Sequence, residues 1–214
     1  SVEKLGQTVS FEEINLLAAD STFFDLFSFK FLSGNPSTAL HQPKSAVITK
    51  SISEKYFDGS DAMGKILEIT NGEITQSYKV TGVMEDVPSN MHFKLDILTS
   101  MSSYENVKRM QWSWIWSGFV TYAKLSPDAA VHQVEQLFFE LPSHEAEASL
   151  MRVYGQTFKE YTENGKDWNL FLLPIQDVWL KSVDSPNRLG AVSDIKYVYL
   201  FGVVGLLILV LAFV

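Results

Sequence analysis

The 214-residue chain has no cysteine, so disulfides and cysteine-built zinc ribbons are excluded as sources of its stability. It also lacks a surplus of positive charge. Seventeen lysines and arginines face 25 aspartates and glutamates, a formal net charge of −8. A surface of that sign repels phosphate backbones, which argues against nucleic acid as a partner. Glycine and proline, at 12 and 7 residues, are too sparse for a low-complexity or linker-like chain. Histidine is scarce and scattered. His41, His92, His132 and His144 lie outside metal-ligand spacing of one another and read as surface residues, and "HEAE" at His144 lacks a second histidine. No G-x-S-x-G elbow, P-loop, H-E-x-x-H or G-x-G-x-x-G occurs. Ser193 and Lys196 make an S-x-x-K pair, but they stand at the mouth of an apolar run, where a capping serine and an interfacial lysine are expected without chemistry. The adjacent Glu85 and Asp86 read as solvated. No catalytic, cofactor-binding or metal-ligating residue is therefore assigned, no cofactor is implied, and the chain does not read as an enzyme.

What the chain does have is apolar substance, 46% hydrophobic and 13% aromatic, enough for a sizeable core. It closes on "IKYVYLFGVVGLLILVLAFV", in which residues 198–214 carry no charge. At ~1.5 Å per residue that run spans roughly 25 Å, slightly less than the ~30 Å hydrocarbon layer of a bilayer. The expectation is a transmembrane helix that starts here and is truncated, contacting membrane lipid through residues 198–214. A buried core helix and a GPI-type tail preceded by "SPNRLGAV" are the alternatives. Lys196, Tyr197 and Tyr199 suit the water–lipid boundary. Lys181, Arg188 and Lys196 are matched by Asp177, Asp184 and Asp194, and the missing basic excess favours the non-cytoplasmic side. Ser1 is not an initiator methionine, so the chain is expected to be a fragment of a longer protein.

Local patterns supply the elements. Ile14 to Ala18 is a short apolar run, and Asp20 and Ser21 are candidate caps for a helical turn carrying Phe23, Phe24 and Phe27, stopped by Gly34 and Pro36. With Phe31 these rings read as core, the alternative being a hydrophobic docking face. Residues 46–49 predict a strand feeding a helix with a Ser51/Glu54 capping box and an Asp58-Gly59 stop. "KILEITNGEITQSYKVTGVMED" predicts a β-hairpin with a type I′ turn at Asn71-Gly72. "HFKLDILTSM" alternates as a half-buried strand. Trp112, Trp114 and Trp116 fall on one face if that segment is extended. They are the weak binding candidates, suited to stacking on a sugar, against the reading that they pack inward. A strand over "FVTYAKL", a helix opened by Ser126, Pro127 and Asp128, and a strand over "WNLFLLPIQDVWL" would form a βαβ or split-βαβ unit. The helix would turn Ala130, Val131, Val134, Leu137, Phe138 and Leu141 inward. The polar stretch between them reads as partly helical up to a turn at Asn164-Gly165.

Six stretches in fixed order, "AADSTFFDLFSFKFLSGNPSTAL", "SAVITKSISEKYF", "AMGKILEI", "YKVTGVMEDVPSNMHFKLDIL", "WSWIWSGFVTYAKL" and "YVYLFGVVGLLILVLAFV", resemble the MacB/FtsX-type permease subunits of ABC transporters. The likeness is greatest to the larger permeases common in Bacteroidetes-like bacteria. It implies an α+β fold in which residues 1–40 and 118–197 form a porter-like subdomain, residues 41–117 an inserted β-rich lobe, and residues 198–214 the opening of a membrane helix. It further implies a non-catalytic periplasmic domain at the bacterial inner membrane. Such a domain would couple ATP-driven movement of membrane helices to export or release of a substrate, or to a periplasmic partner. The implied partners are a separate ATP-binding subunit, a second permease copy and a periplasmic adaptor. A membrane-tethered ligand- or glycan-binding module is the alternative.

Overall fold

The computed structural model describes residues 2–4, 10–11, 15–58, 61–116, 118–166, 168, 170–185 and 189–213. Ile14, Gly59, Ser117, Arg188 and Val214, each of which carried part of an expectation, lie outside the described residues. The chain divides into two compact units, the first comprising residues 1–111 with 122–124 and the second residues 112–121 with 125–214.

The first unit is a mixed sheet with helices. Its strands are β1 (Val2–Lys4), β2 (Ser10–Phe11), β3 (Leu16–Ala19), β4 (Phe31–Gly34), β5 (Ser45–Thr49), β6 (Ile66–Asn71), β7 (Ile74–Met84) and β8 (Ile97–Ser100). They run in the order β2-β1-β6-β7-β5-β8-β3, with β4 also pairing β7. Because β3 pairs β8 and β4 pairs β7, residues 1–40 share a sheet with residues 41–117. The expected parting of these two stretches into separate subdomains differs from what is seen, since the compact units part at Gln111 instead.

Helices α1 (Phe23–Leu26), α2 (Lys50–Phe57) and α3 (Glu105–Met110) accompany the sheet. All five residues of β5 are buried, as a continuous apolar strand covered on both faces requires. Ile48, Ile52, Tyr56, Phe57, Leu67, Tyr78, Val80 and Ile97 form the centre of the core. Each large side chain buried there contributes about 1.5–3 kcal/mol relative to exposure. The four phenylalanines pack on one another and on Phe93, with ring centroids 4.9 Å apart for Phe23–Phe27 and Phe24–Phe31 and 5.5 Å for Phe27–Phe93.

Several boundaries moved for identifiable reasons. The hairpin forms with Asn71 opposite Ile74, but positive φ falls on Gly72 alone, the glycine-first pattern of a II′ turn; a I′ turn needs two such residues. Helix α2 is capped by Thr49, whose Oγ1 accepts from the Ile52 N–H at 3.4 Å. Ser51 lies inside the helix as its second residue, and its N–H and hydroxyl donate to Asp86, at 3.0 and 2.7 Å. In "HFKLDILTSM" the burial alternates from Phe93 to Asp96, and then Ile97–Ser100 is buried throughout because β8 lies between β5 and β3.

The second unit is helical among its described residues: α4 (Val131–Glu145), α5 (Glu147–Tyr154), α6 (Phe158–Glu163), α7 (Val178–Lys181) and α8 (Ile195–Ala212). Helix α4 starts later than expected, at Val131 with Ala130 as its N-cap, because Ser126 closes a turn with Ala129. Its inward side is Val134, Phe138, Leu141 and the buried Pro142, whereas Val131 and Leu137 face outward. Thr157 and Glu160 cap α6 reciprocally. Neither expected strand of the βαβ unit forms in the described parts of 119–125 and 168–174. An alternating pattern becomes a strand only with a neighbouring edge to pair, and here Tyr122 is drawn onto the first unit.

Candidate functional site

Two features of the second unit bear on function. The first is the indole segment, which is not extended: residues 111–115 run through a turn and bends. The buried Ser149 of α5 holds it. Its hydroxyl donates to the Trp112 carbonyl and accepts the Trp114 N–H, both at 3.0 Å. One turn further along α5, the Arg152 guanidinium lies 4.0 Å from the centre of the Trp112 ring. Trp114, 40% exposed, meets Trp168 edge-on at 6.5 Å, and Trp116 meets Phe119 at 4.5 Å. Each indole therefore has a different aromatic or cationic neighbour, in place of the single row an extended strand would give.

The second feature is α8. Its 18 residues span about 27 Å at the usual helical rise, and its large apolar side chains from Val198 onward are all exposed. It is long and apolar enough to cross a membrane, and none of it is buried in the protein. A helix satisfies every backbone group internally, as lipid demands, so valines and glycines persist in it despite modest helix propensity. Asp194, not the expected Ser193, is its N-cap and accepts the Lys196 N–H at 2.9 Å. That backbone bond and a second one to the Lys196 side chain hold the Asp194 carboxyl below its usual range. Ser193 instead donates its N–H to the Trp179 carbonyl at 2.8 Å.

Two polar arrangements of the first unit were not read from the sequence. His92, expected at the surface, is half-buried among Phe27, Phe93 and Tyr122, and its Nε2 lies 2.6 Å from the Tyr122 hydroxyl. Burial lowers the histidine pKa and pushes the tyrosine up to about 12. Burial would raise the Asp86 carboxyl, but its bonds to Ser51 and Thr49 and the charge of Lys50 outweigh that and hold it below its usual range. Among the described residues there is no group of three or more His, Cys, Asp or Glu side chains able to hold a metal ion.

The described residues thus hold a mixed sheet with helices and, near the chain's end, an unburied helix long and apolar enough to cross a membrane. The family model "MacB-like periplasmic core domain" matches residues 2–138, more than half of the chain, and the chain belongs to that family. It is a periplasmic domain of the MacB/FtsX-like ABC permease type. A domain of a protein described as a permease, from Porphyromonas gingivalis, is similar at 20% identity and a TM-score of 0.49, with 63% of this chain and 56% of that one covered. The periplasmic region of MacB from Actinobacillus actinomycetemcomitans is similar at 18% identity and a TM-score of 0.44, covering 78% and 72%. The extracellular domain of the ABC-type transporter YknZ from Gram-positive bacteria is similar at 20% identity and a TM-score of 0.31, covering 44% and 45%. The chain thus spans little more than half of the P. gingivalis domain. None of the curated proteins matches it.

Proposed function

We propose that the chain is the non-catalytic periplasmic part of an ABC permease that transmits ATP-driven movement of membrane helices outward. In a bacterial inner membrane it would thereby assist export or release of a substrate, or engage a periplasmic partner. The observation that carries this reading is that a MacB-type core domain, matched over residues 2–138, is followed later in the same chain by α8, a helix long and apolar enough to cross a membrane, through which movement of the membrane helices would reach the rest of the chain. A separate ATP-binding subunit, a second permease copy and a periplasmic adaptor would be its partners.

The reading is tested in the full-length permease, reconstituted with its ATP-binding subunit. Spin labels are placed at Glu73 in the hairpin and Lys159 in α6, on cysteines introduced into these 214 residues, which contain none of their own, with any cysteine elsewhere in the permease replaced. The label separation is expected to differ between ATP-bound and ADP-bound states. An unchanged distance distribution with turnover intact would contradict coupling through this domain. The tethered glycan-binding reading needs indoles on a common face, and Trp112, Trp114 and Trp116 have separate neighbours.

A further inference from the structure

We propose that α7, with the 3-10 turn before it (Ile175–Asp177), lies at the headgroup level of the bilayer entered by α8, seated there by Trp179 and Ile175 in apolar contact with phospholipid. The inference rests on α8 being a bilayer helix. Its starting point is the backbone bond from the Ser193 N–H to the Trp179 carbonyl, 2.8 Å long. Ser193 immediately precedes the N-cap of α8, so this bond fixes Trp179 at the mouth of the apolar helix. Trp179 is 49% exposed and Ile175, four residues earlier on consecutive helical segments, is 57% exposed. Their side chains are thus open to the surroundings where α8 presents Tyr197 and Tyr199, both more than half exposed. An indole has an apolar body and one N–H donor, which makes the headgroup boundary its preferred environment. A tryptophan and an isoleucine left in water beside a membrane helix would forgo that contact.

The platform is also shaped to keep its place. The buried Ser182 closes the end of α7 by donating to the Val178 carbonyl at 2.5 Å. Among the described residues, the lysines around it are matched: Lys181 pairs with Asp177 at 2.9 Å and Lys196 with Asp194 at 3.1 Å. Attraction of a polybasic patch to anionic lipid is therefore not the driving force, and the occupant is phospholipid of any headgroup charge.

The test uses the cysteine-free chain inserted through α8 into phosphatidylcholine nanodiscs. Single nitroxide labels are attached at Trp179→Cys, Ile175→Cys, Val204→Cys and Lys159→Cys. Collision with oxygen, which concentrates in lipid, and with a water-soluble nickel chelate is measured by power saturation. The labels at 179 and 175 are expected to show several-fold less nickel collision than Lys159→Cys, with more oxygen collision, and values between it and Val204→Cys. Adding phosphatidylglycerol is expected to change nothing. If Val204→Cys reads as lipid while both α7 labels read as water, the proposal fails and the bilayer helix stands. If Val204→Cys itself reads as water, both fall. Shielding of the α7 labels from both reagents would reveal a protein contact and overturn the lipid assignment, as would shielding that appears only with phosphatidylglycerol.

Discussion

His92 differs from the other three histidines in being half-buried, and its ring nitrogen meets the Tyr122 hydroxyl inside a cluster of phenylalanines. Burial disfavours the imidazolium, so the folded pKa lies below the ordinary value of 6.5. The unfolded chain then binds more protons than the folded one just below that value. Stability is complete above 6.5 and declines as pH falls toward the folded pKa. We expect the first unit to lose stability as pH falls below 6.5, with His92→Gln flattening that segment of the profile. Urea midpoints measured across the range check this. A variant whose profile overlays the native one would assign the acid sensitivity elsewhere. Nothing in the spacing of His92 and Tyr122, thirty residues apart, suggests their meeting.

Where β4 crosses β7, two elements approach more closely than ordinary side chains permit. Thr81 is an extra residue in β7, placed between the β5 partners Val80 and Gly82, and its hydroxyl donates to the Ala39 carbonyl at 2.7 Å. Gly34 has φ +91°, and a β-carbon there would stand 2.5 Å from the Thr81 carbonyl oxygen. Gly34→Ala is expected to cost about 2–4 kcal/mol, because both the backbone conformation and the sheet spacing must yield. Urea denaturation of the variant reads this, and an unchanged midpoint would mean that β4 is loosely held. Gly34 looked like a helix stop in the sequence and is in fact the end of an edge-on strand pairing. The elements that were legible were those whose signal is local: the 71–74 hairpin, the strand 45–49, the turn at Gly165 and the apolar helix. Those misread depended on distant partners. Ser51, expected as the cap of α2, donates to the distant Asp86 and leaves the cap to Thr49, and the strands expected around Tyr122 and Phe171 had no edge to join. Trp112, Trp114 and Trp116 share one face only if their segment is extended, and the distant Ser149 hydroxyl that bonds to its backbone was not legible.

The first unit buries its apolar strands, whereas α8 buries none of its apolar surface and presents a stretch that water does not suit. The net charge of −8 resides entirely outside that run, as expected of a body held in water beside the bilayer. The most direct test of this account is sidedness. A single cysteine replacing the exposed Glu73 at the hairpin tip, in an otherwise cysteine-free full-length permease, is treated with a membrane-impermeant maleimide in cells whose outer membrane alone has been permeabilised. The account predicts labelling in those cells to the same extent as after lysis; labelling only after lysis would put the domain on the cytoplasmic side and contradict it.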